Sequence, residues 1–151
     1  MSVTFLIGRI AFVAIFLITG IFNLMDRAKT AAAIQSKFAI PGSLADVAGK
    51  AQTSTGMTPY ELLAIAVSGI EIIFALLIIF NLATRFSALV LLIYTVVVTY
   101  FFYDFWNMTG DARAATMTLT LLNLSLVGGL LILFAIGSWR PGSIEDDEYG
   151  V

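Results

Sequence analysis

Four long apolar runs dominate this sequence. They extend from about Phe5 to Leu24, Tyr60 to Phe80, Phe86 to Phe105 and Ala114 to Ile136. An α-helix rises about 1.5 Å per residue, so about 20 residues cross the ~30 Å of hydrocarbon in a bilayer. Inside lipid only a helix or a closed barrel satisfies its own backbone hydrogen bonds. Barrel strands would be shorter and strictly alternating, and these runs are neither. The expected fold is therefore all-α: an integral membrane four-helix bundle with spans at about 5–24, 60–80, 86–105 and 114–136, forming one domain over 1–140 and followed by an acidic flexible tail at 141–151. The composition agrees: 60% of residues are apolar and 12% charged, where a soluble domain carries about 25% charge.

The punctuation between the runs fits helices. Thr58-Pro59-Tyr60-Glu61 sets a capping Thr, Pro at the first helical position and Glu three residues after the cap. Gly137 ends the last run and Pro141 follows it. Residues 81–85 read as a tight link between spans two and three, and 107–113 as the link between spans three and four. The one long connection is 26–58. Ile34 and Phe38 lie one turn apart there, with Arg27, Lys29 and Lys37 nearby, which reads as a short interfacial helix ahead of Ile40-Pro41-Gly42. Ser43-Leu44-Ala45-Asp46 reads as a second capped turn. Trp106, Tyr103 and Tyr60 fall at span ends on one side and Trp139 on the other, the positions of an aromatic belt. The first run is too long for the core of a secretory signal and has no basic stretch ahead of it.

What is missing excludes much chemistry. The chain has no Cys and no His. Disulfide exchange needs thiols, bis-histidine haem needs imidazoles, and zinc and copper sites almost always use one or the other. No metal or haem is expected, and no covalent cofactor; a non-covalently bound quinone or lipid is compatible with the residues. The net charge is -2 with no basic stripe, so nucleic acid is not an expected partner. The expected partner is the bilayer, with other membrane subunits or further copies of the chain beside it. The tail Glu145-Asp146-Asp147-Glu148 reads as a solvated charge run.

Two charges sit where they are expensive. Arg9 lies one turn into span one and Glu71 near the middle of span two. A charge at the helix centre costs about 2.5–3.5 kcal/mol on insertion scales, so each is expected to face the protein interior. Spans one and two run antiparallel, and an extended Arg9 could reach Glu71 or snorkel to the headgroups. Ala64, Ser68, Glu71 and Ala75 recur on one small-residue face, where another helix can approach closely. Arg9, Phe12, Phe16, Thr19 and Asn23 share a face of span one; Thr95, Thr99 and Trp106 one of span three; Thr116, Thr120 and Asn123 one of span four. Arg9, Glu71, Asn123, Asn23 and Thr99 are the candidates for buried polar groups or a ligand site. The plainer reading is interhelical hydrogen bonding that sets register; the sharper one is a ligand pocket or proton path. Asp104 is expected to pair weakly with Arg113 near the membrane edge.

These residues resemble the DoxX family of small four-helix membrane proteins. The matching stretches are Gly8-Arg9 leading to Phe16 and Gly20, Ile40-Pro41-Gly42, Gly69 with Glu71, Thr84-Arg85 with Ala88, Asp104-Phe105-Trp106, and Asn123-Leu124 followed by Gly128-Gly129. The resemblance implies association with quinone-linked oxidoreductases and transfers no catalytic residue. Many relatives carry His immediately before the Phe-Trp pair, where this chain has Asp104. It also implies a bacterial cytoplasmic membrane with both termini in the cytoplasm. Charge counting points the other way: Arg27, Lys29, Lys37, Lys50 and Arg113 flank one side, Arg85 and Arg140 the other.

Three functions follow as expectations. The first is a non-catalytic accessory subunit of a membrane redox or respiratory complex. The second is a small binder or carrier of a hydrophobic ligand, a quinone or a lipid, oriented by Arg9, Glu71 and Asn123. The third is a quinone-linked oxidoreductase, which would require electrons from elsewhere because this chain holds no redox ligand. The balance is against an enzyme.

Overall fold

The computed structural model describes residues 3–41 and 45–137, without the side chains of 45–48 and 51. Among these residues six α-helices follow one another: α1 (Val3–Met25), α2 (Arg27–Lys37), α3 (Ala45–Thr55), α4 (Pro59–Ile79), α5 (Thr84–Phe102) and α6 (Gly110–Ile136). A short 3-10 turn, Phe105–Asn107, lies between α5 and α6. The helices α1, α4, α5 and α6 are long and apolar enough to span a bilayer, at 23, 21, 19 and 27 residues. They are the four expected spans. The third ends at Phe102 and the fourth begins at Gly110, so the link expected at 107–113 lies instead at 103–109 and contains the 3-10 turn.

Neighbours in sequence pack as neighbours in space. α1 lies along α4, α4 along α5, and α5 along α6. The closest approach of α1 to α4 is at Gly20, where a Cβ would stand 2.9 Å from Glu71 Cβ and Ile72 Cγ1 and 3.1 Å from the Ser68 carbonyl oxygen. The small-residue face of α4 makes this approach possible: Ala64, Ser68 and Ala75 are fully buried and Glu71 nearly so. The apolar core comprises Val13, Phe16, Ala75, Ile78, Ala88, Leu91, Leu130 and Leu133. Beyond the two from α1, these residues come from the later part of α4 and α6 and the earlier part of α5. The core therefore fills the half of the bundle nearest the α4–α5 turn and the start of α1. In α6 only Leu130 and Leu133 are buried, and its first four turns bury nothing completely.

The other end of the bundle is closed differently. The expected interfacial helix is α2, which packs on α4 with Ala31 buried and Ile34 half-buried. Thr30 Oγ1 donates to the Asn23 carbonyl at 3.2 Å, and Phe38 meets the edge of Phe101 at 6.5 Å between centroids. The long connection holds a second helix, α3, beyond the capped turn read from sequence; the capping positions 43 and 44 lie outside the described residues. The cap read at Thr58 is present: Thr58 Oγ1 accepts from the Glu61 amide at 3.2 Å, and Glu61 Oε2 accepts from the Thr58 amide at 2.8 Å. Asp104 pairs with Lys37 at 3.1 Å and not with Arg113, because the last turn of α2 folds back over the α5 terminus while Arg113 stands exposed in the first turn of α6.

Candidate functional site

Glu71 is 4% exposed in the middle of α4. Its carboxyl group faces α1, where Thr19 Oγ1 donates to Oε1 at 3.0 Å and Asn23 Nδ2 donates to Oε2 at 3.2 Å. The Tyr94 hydroxyl of α5 lies near the same carboxyl group. One acid thus ties α4 to α1, with a phenol of α5 beside it. Thr19 and Asn23 sit one turn apart on α1, so a single face of that helix serves both carboxyl oxygens. Thr19 Oγ1 also lies 2.8 Å from the Ile15 carbonyl oxygen, and a hydroxyl has only one proton to give. The cluster has room for one more proton, or for an amide N–H, at the carboxyl position.

Arg9 does not join this cluster. Its Nη1 donates to Asn81 Oδ1 at 2.8 Å and to the Ile78 carbonyl at 3.3 Å. Those groups belong to the C-terminal end of α4, seven or more residues beyond Glu71 and so about 10 Å further along the axis. The pairing of Arg9 with Glu71 suggested by the antiparallel geometry is replaced by a helix-end contact. The last carbonyls of a helix lack intrahelical donors and carry the negative end of its dipole, which gives Arg9 a nearer partner. Arg9 is 2% exposed, with the Phe5 ring 5.0 Å from its guanidinium carbon. Among the described residues its Nε and Nη2 find no hydrogen-bond partner.

The remaining candidates form a third group. Asn123 Nδ2 of α6 donates to Thr99 Oγ1 of α5 at 3.0 Å, and Thr99 Oγ1 donates to the Thr95 carbonyl at 2.6 Å. This pair joins the two spans that pack least on α1, and no hydrogen bond links it to Glu71. Trp106 is half exposed at the end of the third span and packs on Tyr100 and Phe105; Tyr103 is half-buried beside it. Both sit where an aromatic belt belongs. Trp139 and the tail 141–151 lie outside the described residues.

Sequence reasoning passed over Tyr94 and Asn81. Tyr94 had a usable signal, since a phenol within an apolar span needs a hydrogen-bond partner. Asn81 had none, because its carbonyl is aimed at Arg9 by a turn whose backbone, φ 60 at Asn81 and 47 at Ala83, is not legible in the residues. A groove of about 570 Å³ runs between α1 and α6 beside Arg9, lined among others by Phe5, Gly8, Phe12, Ile132 and Ile136. At its deep end the Phe12 ring sits where a Cβ on Gly129 would be. Among the described residues no group of His, Cys, Asp or Glu is arranged to hold a metal ion.

The comparisons with known proteins agree on one lineage. A family described as DoxX matches residues 4–104. The inner membrane protein YphA of Escherichia coli (strain K12) is 31% identical over 146 residues, 97% of this chain and 89% of that protein. No solved structure matches.

Proposed function

This chain belongs to the DoxX family of integral membrane proteins, and from that premise we propose that it is a non-catalytic accessory subunit of a larger redox or respiratory assembly in the bacterial inner membrane. The observation that carries the reading is the state of α6. Its early turns bury nothing completely, and Leu121, Leu122 and Leu124 are 53%, 57% and 63% exposed. A span tethered along one side only offers the rest of its surface to lipid or to another helix, and TM helices associate by such packing. The Glu71 cluster supports the same view: its bonds run between spans of one chain, which is what sets helix register. The quinone-linked character of the assembly rests on the family resemblance. A photo-crosslinking residue at Leu124 tests the proposal in native membranes. We expect it to capture a different membrane polypeptide, with the same probe at Leu6 on α1 as the comparison. Crosslinks to lipid or to further copies of this chain alone would overturn it.

A second reading, a binder of a hydrophobic ligand such as a quinone or lipid, is favoured by the groove beside Arg9. Native mass spectrometry of the detergent-purified chain checks it: a retained amphiphile is expected, and an empty protein in several detergents would end the idea.

A further inference from the structure

Resting on that second reading, the geometry points to a specific occupant: the groove between α1 and α6 holds the anionic headgroup of a membrane phospholipid, with Arg9 as the cation that receives it. Arg9 is the most deeply buried charged side chain described, at 2% exposure. A guanidinium does not give up its proton in a protein, so a full positive charge is held there. The described residues supply no counter-ion for it. Glu71 is bound to Thr19 and Asn23, and the ion pair that does form, Lys37 with Asp104, is at the opposite end of the bundle. Neutral oxygens from Ile78 and Asn81 satisfy Nη1 alone. A buried charge without an opposite charge is unfavourable.

The unused atoms are the informative ones. Nε and Nη2 have no partner among the described residues, and together they form the edge of a guanidinium that grips a carboxylate or phosphate with two parallel hydrogen bonds. Arg9 is one of the residues that line the groove, whose walls are otherwise largely apolar. Nothing stands within 4 Å of where a Cβ on Gly8 would be, so the glycine leaves open space in the groove wall. The charged edge and the apolar trough match an acidic head with a hydrocarbon chain. An uncharged quinone carbonyl would satisfy the N–H groups and leave the charge unbalanced. Arg9 is six residues from the start of α1, about 9 Å along the axis, within reach of a headgroup drawn slightly below its usual level. The bilayer itself presents anionic phospholipid at high local concentration.

The test uses the full-length chain in mild detergent, with native mass spectrometry and lipid titration. Phosphatidylglycerol is expected to bind about tenfold more tightly than phosphatidylcholine, whose own choline cation balances its phosphate and leaves no net negative charge to offset Arg9. Arg9→Gln should abolish that preference and Arg9→Lys should retain part of it. Gly8→Leu fills the groove without touching the cation, and should lose the bound lipid while melting as a folded protein. That variant carries the test if Arg9→Gln does not fold. Equal retention of the two lipids, or unchanged binding in Gly8→Leu, would overturn the assignment. So would uptake of phosphatidylglycerol only after Glu145, Asp146, Asp147 and Glu148 are changed to Gln, which would make the acidic tail the occupant. A preference for oleate or for ubiquinone over phosphatidylglycerol would sink this inference and leave the ligand-binder reading standing; retention of no amphiphile at all would remove both.

Discussion

Glu71 and Arg9 are ionisable groups placed within the same bilayer and yet answer to different physics. Glu71 is held by two side chains of a neighbouring span, so its replacement is felt across helices. Glu71→Gln keeps an acceptor for Asn23 and adds N–H groups that can serve Thr19, and its melting temperature in detergent should stay within a few degrees of the wild type. Glu71→Leu strips partners from Thr19 and Asn23 at once, and should cost about 1–3 kcal/mol, the usual penalty for an orphaned buried polar group. Because Arg9 bonds to the far end of α4, Arg9→Gln and Glu71→Gln should add to within about 0.5 kcal/mol in a double-mutant cycle. A coupling well above that would place the two in one network. Gly20→Ala tests the close approach beside them. The added methyl meets the Ser68 carbonyl at 3.1 Å as well as Glu71 Cβ, and a helix backbone cannot step aside as a side chain can. We expect a loss of about 1–3 kcal/mol by the measure of overpacked interiors.

At the scale of elements, sequence pattern and structure agree wherever local chemistry decides the outcome. The start of α4 is the clearest instance: Thr58, Pro59 and Glu61 specify a cap by their own hydrogen bonds, and the cap forms. Thr58→Ala should cost about 1 kcal/mol, read as a lower melting temperature with unchanged helical content. The interfacial helix α2 was legible because Ile34 and Phe38 mark an apolar side between lysines. α3 was not, since Ala45–Thr55 is composed of small and polar residues with no apolar stripe and with Gly49 in its middle. The α4–α5 turn was legible as a short link and illegible in shape. Ala83 adopts φ 47, ψ 42 there, a left-handed conformation that costs a residue with a Cβ about 1–2 kcal/mol. Ala83→Gly should therefore raise stability by up to about 1 kcal/mol, the gain being reduced by glycine's greater freedom when unfolded. A fall in stability would mean that the Ala83 methyl makes contacts outweighing the strain. The partners of Arg9 were hidden for the same reason: they depend on where this turn sends Asn81.

Over the whole molecule, the number of spans fixes one relation and leaves another to be decided. Four crossings put the start of α1, the α4–α5 turn and the end of α6 on one face of the membrane, and α2, α3 and the α5–α6 link on the other. Which face is cytoplasmic is contested by two arguments. The positive-inside rule favours the side of α2 and α3, where Arg27, Lys29, Lys37, Lys50 and Arg113 cluster. The family resemblance favours the termini, and that is the outcome expected of the following labelling experiment. Part of the opposing charge is already engaged, since Lys37 is tied to Asp104, although acids weigh little in the rule itself. The sequence makes the test clean, because the chain has no cysteine of its own. Single substitutions Ser54→Cys, in the last turn of α3, and Leu82→Cys, in the α4–α5 turn, would each be exposed and would be treated in intact inner-membrane spheroplasts with a maleimide that cannot cross the bilayer. We expect Ser54→Cys to label at once and Leu82→Cys only after the membrane is opened with detergent. The reverse pattern would place the basic loop in the cytoplasm, restore the charge count as the deciding term, and move the Arg9 groove to the outer leaflet.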